Sequence, residues 1–221
     1  MRTVDPGRHR ARRRQIVDAA AGLFAAKGFE RTTTAEICKA AGTSTGNLFH
    51  YFPNKRAIFH AVLEEDEADG AGKAQRLAAA RTADDPWTAL LETVDLLAAP
   101  ATRPSVPALV MEAMVQAYRD PDLAALLSRA NDEERSTLTT VLRNAVVAGQ
   151  IDPGLDPEAT AAWVQALIGA LYTTAATDPS FDPAAQLPTL RLILQRFLRP
   201  AATSGPRRGK GDRSPDDSPG D

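Results

Sequence analysis

Only one cysteine, Cys38, occurs in the chain, so no intramolecular disulfide can close and no paired-cysteine zinc site can be drawn. No alternation of apolar and polar residues is long enough to make a strand, which argues against sheet-based folds and predicts an all-α chain of about nine helices. A phosphate-cradling glycine loop and an HExxH pair are both missing, which removes the common nucleotide-dependent and zinc-dependent enzyme patterns. No catalytic residue, cofactor or metal ligand is therefore assigned. With three histidines in all, the best metal spacing is His60 with Glu64 and Glu67, and the surrounding EEDE run reads more simply as a solvated acidic face. No charged start, apolar run and small-residue cleavage site marks an export signal, so a cytoplasmic location is expected. The longest uncharged stretch, ATAAWVQALIGALYTTAAT between Glu158 and Asp178, is rich in Ala, Thr and Gln and flanked by acids. It reads as a helix buried between a core and a partner, with no role for a membrane.

What is present is close to globular averages, 43% hydrophobic and 24% charged, enough for one sizeable core and a small extra domain. The net charge of −2 hides an asymmetry. Residues 1–58 carry Arg2, Arg8, Arg10, Arg12, Arg13, Arg14, Lys27, Arg31, Lys39, Lys55 and Arg56 against Asp5, Asp18, Glu30 and Glu36, and the rest of the chain is correspondingly acidic. A basic end on an acidic body suits a segment that faces a polyanion, although a solvated charge run would look the same. Ile16, Ala20, Leu23 and Phe24 make the apolar stripe of a first helix that ends at Gly28, a left-handed cap. Arg8 to Arg14 are expected to precede it as a basic arm whose last residues enter the helix. Later helices are punctuated by prolines, with Pro86, Pro121 and Pro157 each following an aspartate that can act as N-cap.

The informative stretch is TTTAEICKAAGTSTGNLFHYFPNKRAIF, Thr32 to Phe59. Thr33 and Glu36 fit a capping box that opens a short helix running through Ala41. Gly42 suits a left-handed turn, and Thr43 or Ser44 can cap a second short helix reaching about Tyr51, with Leu48 on its buried side. Cys38 falls where the two helices would cross, so it is read as packing. An ordinary helical hairpin would share these features. The second helix, however, offers Ser44, Thr45, Asn47, His50 and Tyr51, hydrogen-bonding groups that core packing does not require. Gly46 costs that helix about 1 kcal/mol relative to alanine, which makes sense if backbone must approach something closely. Asn54 is a plausible N-cap, and Lys55 and Arg56 in the turn after it oppose the helix dipole unless a phosphate lies there.

The run GFERTTTAEICKAAGTSTGNLFHYFPNKRAIF, with its neighbours spanning about residues 12 to 60, resembles the DNA-binding signature of TetR-family repressors. The resemblance implies that Thr34 contacts a phosphate, that Ser44, Thr45, Gly46 and Asn47 lie in or beside the major groove, and that His50, Tyr51 and Lys55 complete a backbone clamp. Phe49 departs from the tyrosine usual in the family, so one phenolic bond to phosphate should be missing, and Thr43 replaces a commoner valine. The implied fold is an N-terminal helix-turn-helix domain over residues 1–54, then a larger helical domain for effector binding and dimerisation over 55–199. Residues 200–221 are expected to be a disordered tail.

In the second domain Trp87, Met111, Met114, Tyr118 and Trp163 are the large side chains expected to line an effector pocket. Ala162, Ala166 and Ala170, at every fourth position, permit close helix approach, and Leu190, Ile193, Leu194 and Phe197 share one face of the last helix. These two helices are expected to make a four-helix homodimer interface, as TetR-like proteins do. The expected partners are a near-palindromic double-stranded DNA operator, a second copy of the chain and a small-molecule effector. A ligand-blind regulator, an activator, and a helical binding protein or enzyme with a vestigial DNA module remain open alternatives.

Overall fold

The computed structural model describes residues 6–65 and 70–199. In chain order the helices are α1 (Pro6–Lys27), α2 (Thr34–Ala40), α3 (Thr45–Tyr51), α4 (Lys55–Glu65), α5 (Gly70–Ala80), α6 (Pro86–Ala98), α7 (Val106–Ala117), α8 (Pro121–Val147), α9 (Pro157–Thr177) and α10 (Pro183–Leu198), with a 3-10 turn at Ala99–Thr102. Among the described residues these are ten α-helices, one more than expected, and no strand. The tail from residue 200 and Glu67 lie outside the described residues.

Four helices open with the same device. Asp85, Asp120, Asp156 and Asp182 each accept backbone N–H groups of the first turn, and each is followed by a proline at the first helical position. Proline has no N–H to leave unsatisfied there and its fixed φ is already helical. The sequence signalled the first three, and the pair Asp182–Pro183 adds a fourth.

Two cores result. The body core gathers Leu90 and Val94 of α6, Leu138, Val141 and Leu142 of α8, Ala161, Val164 and Ile168 of α9, and Leu190, Leu194 and Leu198 of α10. The head core gathers Ile16, Ala20 and Phe24 of α1, Ile37 of α2, Leu48 of α3, and Ile58 and Phe59 of α4. It also takes Leu109 and Ala113 from α7 and Leu123 from α8. Phe24, Phe29 and Phe59 form its aromatic centre, with ring centroids 5.1 to 5.8 Å apart. Although α4 begins at the expected domain boundary, its apolar face belongs to the head, and the head is completed by side chains from residues 109 to 123.

Candidate nucleic-acid interface

The helix-turn-helix is assembled by local hydrogen bonds that its residue types dictate. Thr33 caps α2 in a capping box: its hydroxyl accepts the Glu36 N–H at 3.2 Å, while its own N–H donates to the Glu36 carboxylate at 3.0 Å. The carboxylate also takes an ion pair from Lys27, so its pKa is lowered to about 2, first by the Lys27 bond and then by Thr33. The exit from α2 is a Schellman turn in which Gly42 N–H bonds to Lys39 O and Thr43 N–H to Cys38 O at 2.9 Å. Gly42 has φ +56°, the left-handed conformation that favours glycine. Ser44 then caps α3 by accepting the Asn47 N–H at 3.2 Å. Cys38 is buried, with its sulfur 3.9 Å from Thr45 Oγ1, as a packing role requires.

α3 is anchored by Leu48, which is wholly buried, and turns the rest of itself outward. Ser44, Thr45, Gly46, Phe49 and His50 are exposed, and Asn47 and Tyr51 are half-buried. Asn47 Nδ2 donates to Thr43 Oγ1 at 2.8 Å, which fixes the amide across the turn. Thr34, in the first turn of α2, is half-buried beside its capping neighbour. The structure thus brings Thr34 and Ser44 to Tyr51 onto one unit.

The basic segment differs from the expected arm. Arg8 to Arg14 are helical throughout, as the first turns of α1. A helix continued over these residues is braced against the turn: Arg12 donates to Gly42 O at 2.8 Å, Arg13 lies 5.1 Å over the Phe52 ring, and His9 packs on Tyr51 with centroids 4.6 Å apart. Arg10 and Arg14, one turn apart, remain exposed. The bracing contacts of His9 and Arg12 to the turn are not readable from the sequence, because Tyr51 and Gly42 lie 30 or more residues away.

Lys55 and Arg56 require a second correction. Lys55 Nζ donates to Phe29 O at 2.7 Å and Thr32 O at 3.0 Å, with the Phe29 ring centroid 4.3 Å away. Its ammonium therefore fastens the loop between α1 and α2, a role the sequence did not suggest. Arg56 turns toward the body, where it pairs with Asp120 and Asp122. Both cations that looked misplaced at a helix start have intramolecular partners. Asn54 does cap α4, accepting the Ala57 N–H at 2.8 Å.

Nor does the body bring the expected pocket residues together. Trp87 packs at the edge of the body core and Met111 is half-buried. Met114, Tyr118 and Trp163 are 57%, 93% and 65% exposed, which places them on the protomer surface. Met114 and Tyr118 stand on the outer side of the α7 stretch whose inner side, Leu109 and Ala113, the head core claims. Two open clefts, of about 150 and 370 Å³, lie instead where the C-terminal part of α7 meets the α1–α2 loop, sharing Phe29, Gln116 and Arg119. The expected dimer face is split by helical phase. Ala162, Ala166, Ala170, Ile193 and Phe197 are exposed, while Leu190 and Leu194 point into the protomer's own core. No helix among the described residues is long and apolar enough to cross a membrane.

Comparison with known proteins agrees with this architecture. Residues 16–62 match the family model for bacterial regulatory proteins of the tetR family, and residues 88–199 match that for the C-terminal part of BetI-type transcriptional repressors. The HTH-type transcriptional regulator UidR of Escherichia coli K12 is 26% identical over 149 residues, 67% of this chain and 73% of UidR. Among solved structures, Salmonella enterica GusR superposes with a TM-score of 0.63 at 26% identity, covering 90% of this chain and 99% of GusR. A transcriptional regulator from Saccharomonospora viridis, solved in complex with choline, gives 0.72 at 19% identity, covering 84% and 96% of the two chains. With both its head and its body matched in this way, the chain belongs to the TetR family of DNA-binding transcriptional regulators.

Proposed function

We propose that the protein is a cytoplasmic homodimeric repressor that grips a two-fold operator with α3 and releases it when a small molecule binds the body. The observation that carries this reading is the outer face of α3. A seven-residue helix held by one buried leucine leaves Ser44, Thr45 and Gly46 exposed and Asn47 half-buried in a frame fixed by the Ser44 cap and the Asn47–Thr43 bond, and the hydrogen-bonding capacity left over on that face has no use in the core. Their donors and acceptors suit base edges in the major groove, which a short helix can enter. Thr34, His50 and Tyr51, with Arg10 and Arg14 of α1, flank that helix and suit the phosphates on either side. Phe49 supplies an apolar contact where a hydroxyl would otherwise reach a phosphate.

A dimer is supported by the residues that α9 and α10 leave exposed: Ala162, Ala166 and Ala170 recur every fourth position on α9, which lets a helix approach closely, and Ile193 and Phe197 are exposed on α10. Two heads related by a two-fold axis would read half-sites one DNA turn, about 34 Å, or a multiple of it apart. The likeness to a regulator solved with choline supports a small-molecule effector, whose site belongs to residues 55–199.

The test is fluorescence anisotropy with near-palindromic duplexes from upstream of neighbouring genes, against scrambled duplexes, from 50 to 200 mM salt. With Arg10 and Arg14 of each protomer at the phosphates, affinity is expected to fall on the order of a hundredfold across that range. Asn47→Ala should weaken operator binding and leave the dimer intact. Equal affinity for operator and scrambled DNA would remove the reading.

A further inference from the structure

Beside the packing of Ile58 and Phe59 in the head core, α4 is tied to the start of α8 by polar bonds centred on one carboxylate, Asp120. Arg56 grips Asp120 through Nε and a terminal nitrogen, and the same guanidinium reaches Asp122 at 2.8 Å. One turn further along α4, His60 Nε2 lies 2.8 Å from Asp120 Oδ2. Asp120 is also the N-cap of α8, accepting the N–H groups of Asp122 at 3.1 Å and Leu123 at 3.0 Å on Oδ1. A single side chain, 12% exposed, therefore terminates α8 and holds two successive turns of α4. Burial pushes this carboxyl's pKa up, but the Arg56, Leu123 and His60 bonds outweigh it and hold the group well below the usual carboxylate range. It stays charged wherever DNA binding is measured.

α8 is a 27-residue helix with one end in each core: Leu123 packs in the head, and Leu138, Val141 and Leu142 pack in the body. A rigid helix of that length carries displacement from one core to the other. What the head must follow is then the start of α8, to which α4 is bonded at Asp120.

We propose that Asp120 is a positioning residue that couples α8 to α4, and through α4 sets the pose in which α3 meets DNA. This rests on the reading of the head as the DNA-binding unit. Arg56 and His60 are the two grips of the coupling, which gives Arg56 a role inside the protein in place of the expected phosphate contact. A head freed from this coupling must be ordered again on DNA, which lowers affinity without touching a base or phosphate.

The experiment uses the full-length dimer with Asp120→Asn, Arg56→Gln and the double variant. Asparagine is as good an N-cap as aspartate, so Asp120→Asn keeps the start of α8 and removes only the charged grip. Asp120→Asn, which loosens both grips, is expected to weaken operator binding on the order of tenfold, Arg56→Gln, which leaves the His60 grip, by less, and the double variant no more than Asp120→Asn alone, the signature of one shared interaction. Arg56→Lys, which keeps charge but loses the fork, should fall between the wild type and Arg56→Gln. The slope of affinity against salt should not change in any of them. Multiplying losses in the double variant overturn the coupling. So does a salt slope that drops by about one phosphate contact in Arg56→Gln alone, which would make Arg56 a DNA ligand. Hydrogen exchange of the α4 amides needs no DNA and should rise in each variant, so unchanged exchange refutes the coupling even if no duplex is bound. Failure of the wild type to bind any duplex sinks only the DNA-binding reading.

Discussion

Replacing Lys55 with methionine separates two roles that a lysine at a helix start can play. In the structure its ammonium is shared between Phe29 O at 2.7 Å and Thr32 O at 3.0 Å and sits 4.3 Å from the Phe29 ring. A hydrogen bond from a charged donor contributes roughly 1.5–3 kcal/mol, and a cation–π contact at a partly exposed site about 0.5–1 kcal/mol. Methionine keeps most of the aliphatic stem packed, so only the polar part is lost. Because the site is half-buried and water can partly replace the ammonium, the loss is expected near the lower end, about 2 kcal/mol. For a chain of this length that corresponds to roughly 4–8 °C in the unfolding midpoint, read by circular dichroism at one fixed dimer concentration. Operator affinity should fall too, because the loop that leads into α2 loosens, but its salt slope should stay that of the wild type. A Lys55→Met protein that melts with the wild type while its salt slope drops by about one phosphate contact would refute the assignment and restore Lys55 to the DNA.

Three other perturbations have defined outcomes. Thr32 is wholly buried, and its hydroxyl donates to Gly28 O at 2.8 Å, satisfying a carbonyl just past the end of α1; Thr32→Val should destabilise by about 1–2 kcal/mol in urea titration. Glu36 titrates below its ordinary 4.5, at about 2, so a carboxylate that is ionised and bonded in the native state stabilises it above pH 4.5. That contribution is lost as pH falls from 4.5 toward 2, and Glu36→Gln should flatten the acid limb of denaturation midpoint against pH in that window. On α10, Ile193→Asp with Phe197→Asp should yield a folded monomer by light scattering, whereas Leu194→Asp, at a position 1% exposed in the core, should fail to fold. A dimer that survives the first pair would displace the interface from α9 and α10.

Local chemistry was the legible part of this chain. Thr33 with Glu36, Gly42, Ser44, Asn54 and the Asp-Pro starts of the helices each make contacts within five residues, and each behaves as its residue type dictates. Buried Leu48 and Cys38 were legible for the same reason, since helical phase fixes which side of a short helix faces inward. What sequence could not supply was the partner of a long side chain. Lys55 and Arg56 looked uncompensated because their acceptors are 23 to 66 residues away. Leu190 and Leu194 share a stripe with Ile193 and Phe197, and a leucine-rich stripe does not say which part of it meets its own core and which a partner. The exposure of Met114 and Tyr118 was hidden for a related reason: the opposite side of α7, Leu109 and Ala113, is committed to the head.

That commitment bears on how such a protein can respond to a ligand. A helix-turn-helix unit of some sixty residues buries too little surface to stand alone comfortably, and here Leu109, Ala113 and Leu123 complete its core. The corner between α7 and α8 is thus part of both halves of the molecule, and the Asp120 grip lies on it. Close-packed interiors do not deform continuously; they exchange one arrangement for another. A ligand that moved α7 or α8 by even a fraction of a helical turn would have to repack Phe59 and Leu123 or break the hold on Arg56. The response of the head is therefore expected to be a change between discrete poses. It must be driven by the difference in ligand affinity between them and not by the tightness of binding as such.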